Sequence, residues 1–112
     1  MRFEWDEAKN QRNILKHRMS FETASFAFDD PHTLTQRDES SDDEERWITL
    51  GAIGPEAILA VVHTWFVTEG EDVTRIISAR AADSHERGAY EEAKQGTKKR
   101  NRRHRGYERR GY

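Results

Sequence analysis

The chain has no cysteine and only two prolines in 112 residues. Without cysteine there is no disulfide framework and no thiolate metal site, which fits an intracellular, cytoplasmic protein. Long apolar runs are missing as well. The strongest, Ala57–Val67, is interrupted by His63 and falls well short of the roughly 20 residues a membrane-spanning helix requires, so no membrane role is expected. The N-terminal MRFEWDEAKNQ has no apolar stretch of the kind that marks a signal peptide. There is no glycine-rich phosphate loop, no zinc-finger spacing and no defensible Ser-His-Asp order. His17, His32, His63, His85 and His104 are scattered, with no pair at the i, i+4 spacing of a helical metal site, so neither metal nor cofactor is expected.

Apolar residues are scarce, at 34 %, or about 40 % once the seven glycines are added, against the roughly 45–50 % of an average globular domain. Charge fills the space, at 36 % of the residues. The apolar residues cluster in short periodic runs, so one folded domain with a highly charged surface is expected rather than a disordered chain. The charge is divided. Residues 94–112 hold nine Lys and Arg against the single acid Glu108, a net of +8, whereas residues 1–93 hold ten bases and twenty acids, a net of −10. The near-neutral whole is an acidic body, 1–93, followed by a basic tail, 94–112, that is either flexible or a helical extension.

Along the body, Arg2–Trp5 reads as a first strand. Asp6 caps a helix over Glu7–His17 with Ala8, Ile14 and Leu15 as its buried face. Ser20 caps a second short helix whose Phe21, Ala24, Ser25 and Phe28 share one side, and Asp29-Asp30-Pro31 ends it. Strands are expected at His32–Arg37, Arg46–Ile53, Ala57–Val67 and Val73–Arg80, with the acidic loop Asp38–Glu45 and hairpin residues Glu69-Gly70-Glu71-Asp72 between them. Asp83 and Glu86 form a capping box that opens a helix from Ser84 to about Ala93, with Gly96 ending it. Short turns between neighbouring strands predict an α+β fold. It is an antiparallel sheet of about four to five strands, with N-terminal helices, one C-terminal helix and all helices on one face.

The densest chemistry lies in Arg75–Glu92. Strand alternation puts Ser78 and Arg80 on one face and Arg75 on the other unless a bulge intervenes. Arg80, with Arg87 and Tyr90 one helical turn apart, forms the best anion-binding trio. The competing interpretation pairs Arg80 and Arg87 with Glu86, Glu91 or Glu92 as surface ion pairs of little energetic value. Lys16-His17 ends the first helix, where a histidine either moves protons or merely balances the helix dipole. His63 reads as a sheet histidine bonded to a neighbour. The tail repeats Arg-Gly-Tyr at Arg105–Tyr107 and Arg110–Tyr112. With Arg102 and Arg103, it offers backbone neutralisation and base stacking of low sequence specificity, the chemistry of RNA contact, or else it is a polybasic solubility or anchoring tail.

Two separated motifs resemble a known family. FEWDEAKNQRNILKHRMSFETASFAFDDP carries Trp5, Asp6, Lys9, Asn13, Lys16, His17, Phe21, Glu22, Phe28, Asp30 and Pro31 in the pattern of BrnT-type toxins of bacterial type II toxin–antitoxin systems. The RIISAR strand and the Glu86-Arg87-x-x-Tyr90 helix are similar to the family's second half. Arg18 departs from it, standing where the family usually has glycine after Lys-His. The resemblance covers about residues 1–92. It implies a fold similar to RelE-like ribonuclease toxins and metal-independent RNA cleavage that stops translation. It also implies a BrnA-like ribbon-helix-helix antitoxin in a hetero-tetramer of two toxins and two antitoxins, which binds operator DNA through the antitoxin. Within that implied chemistry Arg80, Arg87 and, given a bulge, Arg75 hold the phosphate. Tyr90 or His17 moves protons, Lys16 adds charge, and Ser78, Arg102, Arg103 and Arg105 bind substrate. The alternative is a non-catalytic RNA- or partner-binding module on the same fold.

Overall fold

The computed structural model describes residues 1–40 and 44–107, with residues 97–107 described through their backbone alone. The elements run β1 (Arg2–Glu4), α1 (Glu7–His17), α2 (Phe21–Ser25), a 3-10 turn (Phe26–Asp29), β2 (Leu34–Arg37), β3 (Trp47–Gly54), β4 (Ala57–Thr68), β5 (Glu71–Ala81) and α3 (Ser84–Tyr107). They build one five-stranded sheet in the order β1-β5-β4-β3-β2. β2 to β5 pair antiparallel, as short turns require, but β1 pairs parallel with β5, setting Arg2 beside Val73 and Glu4 beside Arg75. The sheet is therefore mixed rather than purely antiparallel. The chain leaves β1, crosses one face through α1 and α2, and begins β2 at the opposite edge, a crossover that a count of short turns does not reveal.

The helices also occupy both faces rather than one. Along β4, Leu59 and Val61 join Phe21, Ala24, Ala27, Ile76 and Ala79 under α2 and the 3-10 turn. The alternating Ile58 and Ala60 join Leu50, Ala82 and Tyr90 under α3. Alternation along a single strand thus feeds two small cores. Gly51 is required where β3 passes the 3-10 turn, because a Cβ there would sit 2.4 Å from the Ala27 carbonyl oxygen.

Local signals set the element ends. Asp6 accepts from the backbone N–H groups of Ala8 and Lys9 at 2.8 and 3.3 Å, and Ser20 Oγ accepts from Thr23 N–H at 3.1 Å. Asp83 and Glu86 complete the reciprocal capping box at 2.8 and 2.9 Å. Glu69 and Gly70 take positive φ, 51° and 75°, the conformation that tight hairpin turns favour. Gly96 does not end α3, which runs on to Tyr107. A lone glycine costs a helix only about 1 kcal/mol relative to alanine, and the Lys, Gln and Arg around it favour helix. The boundary expected at residue 93 therefore falls inside one helix. Residues 41–43 of the acidic loop lie outside the described residues.

α1 is rotated from its expected orientation. Leu15 is 85 % exposed and Ala8 is exposed, while the buried positions are Asn10 and Asn13. Asn10 accepts from Phe21 N–H at 2.8 Å. Asn13 donates to the Ala79 and Met19 carbonyls at 2.8 and 2.9 Å and accepts from Ala79 N–H at 3.2 Å. β1 pairs only with Val73–Arg75, so among the described residues Ala79 lies on a stretch of β5 edge with no strand beside it. The Asn13 amide takes the place of that missing strand, so polar pairing rather than an apolar stripe docks the helix.

Candidate active site

The bulge that Arg75 needed is present. Val62 pairs with Ser78 and His63 with Ile76, which leaves Ile77 as the extra residue of β5. Arg75, Ser78 and Arg80 consequently stand opposite Thr64, Val62 and Ala60, on the α3 face. Sharing a face does not bring the two arginines together. They are about 15 Å apart along the strand, and Arg75 is tied to Glu4 of β1 at 2.8 Å.

At the end of β5 the arrangement is tighter. The half-exposed Arg80 guanidinium grips both Glu86 oxygens, at 2.6 and 2.9 Å. The Arg80 bond pulls the Glu86 carboxyl below its ordinary pKa despite its burial, and the same bond raises the arginine. The ion-pair interpretation therefore holds for Arg80 in this state. Among the described residues Arg87 pairs with no acid; its guanidinium donates to the Glu56 carbonyl at 3.2 Å, linking α3 to the β3–β4 turn.

Tyr90 departs furthest from expectation. It is 1 % exposed, and its hydroxyl donates to Asp30 at 2.5 Å. Burial first, and the Asp30 carboxylate second, push its pKa upward, away from proton transfer near neutrality. Asp30 also accepts from Ala52 N–H and His32 N–H, at 2.9 and 3.0 Å. Burial opposes its ionisation, but these bonds outweigh burial and hold its pKa below the ordinary carboxylate value. Tyr90 and Asp30 thus form a clasp between α3, β3 and the 3-10 turn, and Tyr90 is withdrawn from any substrate.

Lys16 and His17 close α1, where Arg18 adopts a left-handed conformation, φ 55° and ψ 37°, and donates its N–H to Ile14 at 2.8 Å. The geometry that suits glycine is thus adopted by arginine. His17 lies one turn beyond Asn13 on the same side of α1. Neither Lys16 nor His17 has a polar partner among the described residues. The structure thus brings Arg80 and Glu86 together at the start of α3 and ties Arg87 to the β3–β4 turn, while among the described residues no polar contact joins Lys16, His17 or Ser78 to them. The side chains of Arg102, Arg103 and Arg105 lie outside the described residues.

Sequence reasoning missed the docking part of Asn13 and Asp30 as the acceptor for Tyr90, whereas the Arg80–Glu86 pair is the one its competing interpretation offered. Two asparagines three apart in a helix, each a poor helix former, were the available signal for the first. His63 matches its expectation. It is 6 % exposed and its Nε2 lies 2.7 Å from Thr49 Oγ1, which bonds to Thr35 at 2.8 Å. Burial lowers its pKa. Among the described residues no group of three or more His, Asp or Glu side chains gathers as a metal centre would need.

Fold and site together define a small α+β protein with two arginines, Arg80 and Arg87, where the last strand meets the last helix. The family model for the ribonuclease toxin BrnT of type II toxin–antitoxin systems matches residues 5–86, and the chain belongs to that family. The crystal structure of the Brucella abortus ribonuclease toxin, BrnT, superposes with a TM-score of 0.51 at 27 % identity, covering 75 % of this chain and 99 % of that one. No curated protein matches. Membership of a type II system implies an antitoxin as partner. No helix among the described residues is long and apolar enough to cross a membrane.

Proposed function

We propose that this chain is a metal-independent endoribonuclease that halts translation and is neutralised by a ribbon-helix-helix antitoxin. The complex holds two copies of each protein and reaches operator DNA through the antitoxin. The observation that carries the activity is membership of a ribonuclease toxin family across residues 5–86. The site chemistry is compatible with it. In metal-free cleavage the 2′-hydroxyl of RNA loses its proton and attacks the adjacent phosphorus, and the 5′-oxygen leaves with a proton, giving a 2′,3′-cyclic phosphate and a 5′-hydroxyl. Such a reaction needs an acid, a base and cations around the phosphorus.

Arg80 supplies the principal cation, aimed by Glu86, and Arg87 supplies the second. His17 exchanges protons, with Lys16 as an added charge and Ser78 as a substrate contact. Tyr90 contributes by position: its bond to Asp30 fixes the first turns of α3 and hence Arg87. Arg75 plays a peripheral part at most, given its distance and its pairing with Glu4. The basic stretch with Arg102, Arg103 and Arg105 adds non-specific RNA affinity.

The test is expression of the chain alone, followed by RNA cleavage by the purified protein in a chelator. Growth arrest and cyclic-phosphate ends are expected, and Arg80→Ala lowers the cleavage rate on the order of 100-fold. A folded Arg80→Ala protein that cleaves like the wild type removes the phosphate assignment. RNA bound but left intact by the wild type establishes the alternative, a non-catalytic binding module.

A further inference from the structure

The other end of the β4–β5 hairpin has a feature that RNA cleavage does not use. β3 begins with Trp47 opposite His63, so the edge of β4 from Thr64 to Thr68 faces no strand among the described residues. This open edge is apolar: Trp65 is 54 % exposed, Phe66 38 % and Val67 55 %. An exposed apolar strand edge is a liability that folded proteins normally blunt with charge, proline or a covering element. Here it is continuous with a groove of about 500 Å³, whose walls include Met1, Phe28, Trp47, Trp65 and Glu45, with His63 at its base.

Glu45 belongs to a segment whose described residues hold four acids, Asp38, Glu39, Glu44 and Glu45. Arg37 and Arg46 pair with Glu45 and Glu44, yet acids still outnumber bases there. A second copy of this chain would bring two acidic stretches together at the same edge, and RNA would meet the same repulsion. Charge complementarity instead selects a basic polypeptide.

We propose that the Thr64–Thr68 edge and the Trp47–Trp65 groove receive an extended segment of the antitoxin, added as a strand beside β4. Apolar side chains of that segment rest between the tryptophans, and Lys or Arg side chains face the acidic stretch. Strand addition supplies backbone hydrogen bonds, and the groove supplies selectivity. Tryptophans are frequent energetic centres of such interfaces. The proposal rests on the antitoxin being the partner, and it adds where the partner binds and with what chemistry.

The experiment is amide hydrogen exchange on the free chain and on its complex with its cognate antitoxin, together with affinities for Trp65→Lys, Glu45→Lys and Leu15→Lys. Leu15 is an exposed apolar residue elsewhere, 85 % accessible, and serves as the control. The expected result is slowed exchange of the outward amides of Thr64–Thr68 in the complex. Trp65→Lys should weaken binding on the order of 30-fold, the loss typical of a central tryptophan. Glu45→Lys should weaken it by several-fold and reduce its sensitivity to salt, and Leu15→Lys should leave it unchanged.

A complex that forms while these amides exchange as in the free chain, and that tolerates Trp65→Lys, overturns the docking site and leaves the antitoxin reading intact. Failure of the ribbon-helix-helix antitoxin to bind at all overturns both. Protection that already exists in the free chain and rises with its concentration assigns the edge to a second copy and overturns the proposal.

Discussion

The β4–β5 ladder has two unlike ends. At the end carrying Arg80, polar side chains join every neighbouring element: Asn13 closes the β5 edge, Glu86 holds Arg80, and Tyr90 reaches Asp30 across the sheet. At the hairpin end, the ties are the exposed pairs Arg75–Glu4 and Arg2–Glu71, and Trp65, Phe66 and Val67 lie open. Exposed pairs of that kind contribute little. The contrast teaches that a small, charge-rich chain need not spread its stability evenly. It concentrates specific polar pairing at the end that carries Arg80 and leaves the far tip open.

The contrast is broken most directly at Asn13. Asn13→Ala deletes three hydrogen bonds and leaves the Ala79 backbone groups unpaired on a buried edge, which should destabilise the protein by about 3 kcal/mol in urea unfolding. A loss under about 1 kcal/mol would mean that the edge is closed by something other than this side chain. Tyr90→Phe should cost about 2 kcal/mol, since a hydrogen bond to a charged acceptor is lost. Its signature lies in pH. The folded pKa of Asp30 lies below the ordinary 3.8, so its stabilisation is complete above about pH 4 and fades as pH falls through the depressed folded value. Without the Tyr90 bond that pKa moves up towards the ordinary value, and the fall in stability below about pH 4 should become shallower than in the wild type. Identical slopes would show that the remaining N–H donors set the Asp30 pKa by themselves.

Much of the well-paired end was legible as local pattern. The Asp6 and Ser20 caps, the Asp83–Glu86 box and the strand positions all depend on residues within a few places of one another, which a sequence displays directly. What escaped was non-local. Nothing near β1 says that it will pair with β5 in parallel, and nothing near α1 says that Asn13 will meet Ala79, 66 residues away. Tyr90 looked like a reagent beside Arg87 because helical spacing shows neighbours on a surface; it does not show which of them faces a core. Its acceptor, Asp30, stood in the N-terminal motif, 60 residues distant. The bulge at Ile77 was equally hidden, although its consequence for Arg75 followed at once from alternation. The family resemblance rested on linear motifs, and those the sequence displays in full.

Smaller effects sharpen the comparison. Arg18 holds φ 55° at the end of α1, next to His17. A side chain in that conformation costs roughly 1 kcal/mol or more relative to glycine, so Arg18→Gly should stabilise the protein by about 1 kcal/mol and raise its melting temperature by a few degrees. No gain would indicate that Arg18 recovers the cost through its own contacts.

The smallest effect should come from the open tip. Trp65 is 54 % exposed and the Thr64–Thr68 stretch of β4 has no neighbour on one side among the described residues, so a residue that keeps strand preference without the ring removes little packing. Trp65→Thr should change unfolding stability by no more than about 0.5 kcal/mol. A loss comparable to that of Asn13→Ala would mean that the tip is part of the core. The exposed tryptophan would then be accounted for by folding, and the difference between the two ends would disappear. A near-zero value leaves a large apolar side chain that folding does not require, placed on an open strand edge beside an excess of acidic residues, which is the combination a basic strand-forming partner would need.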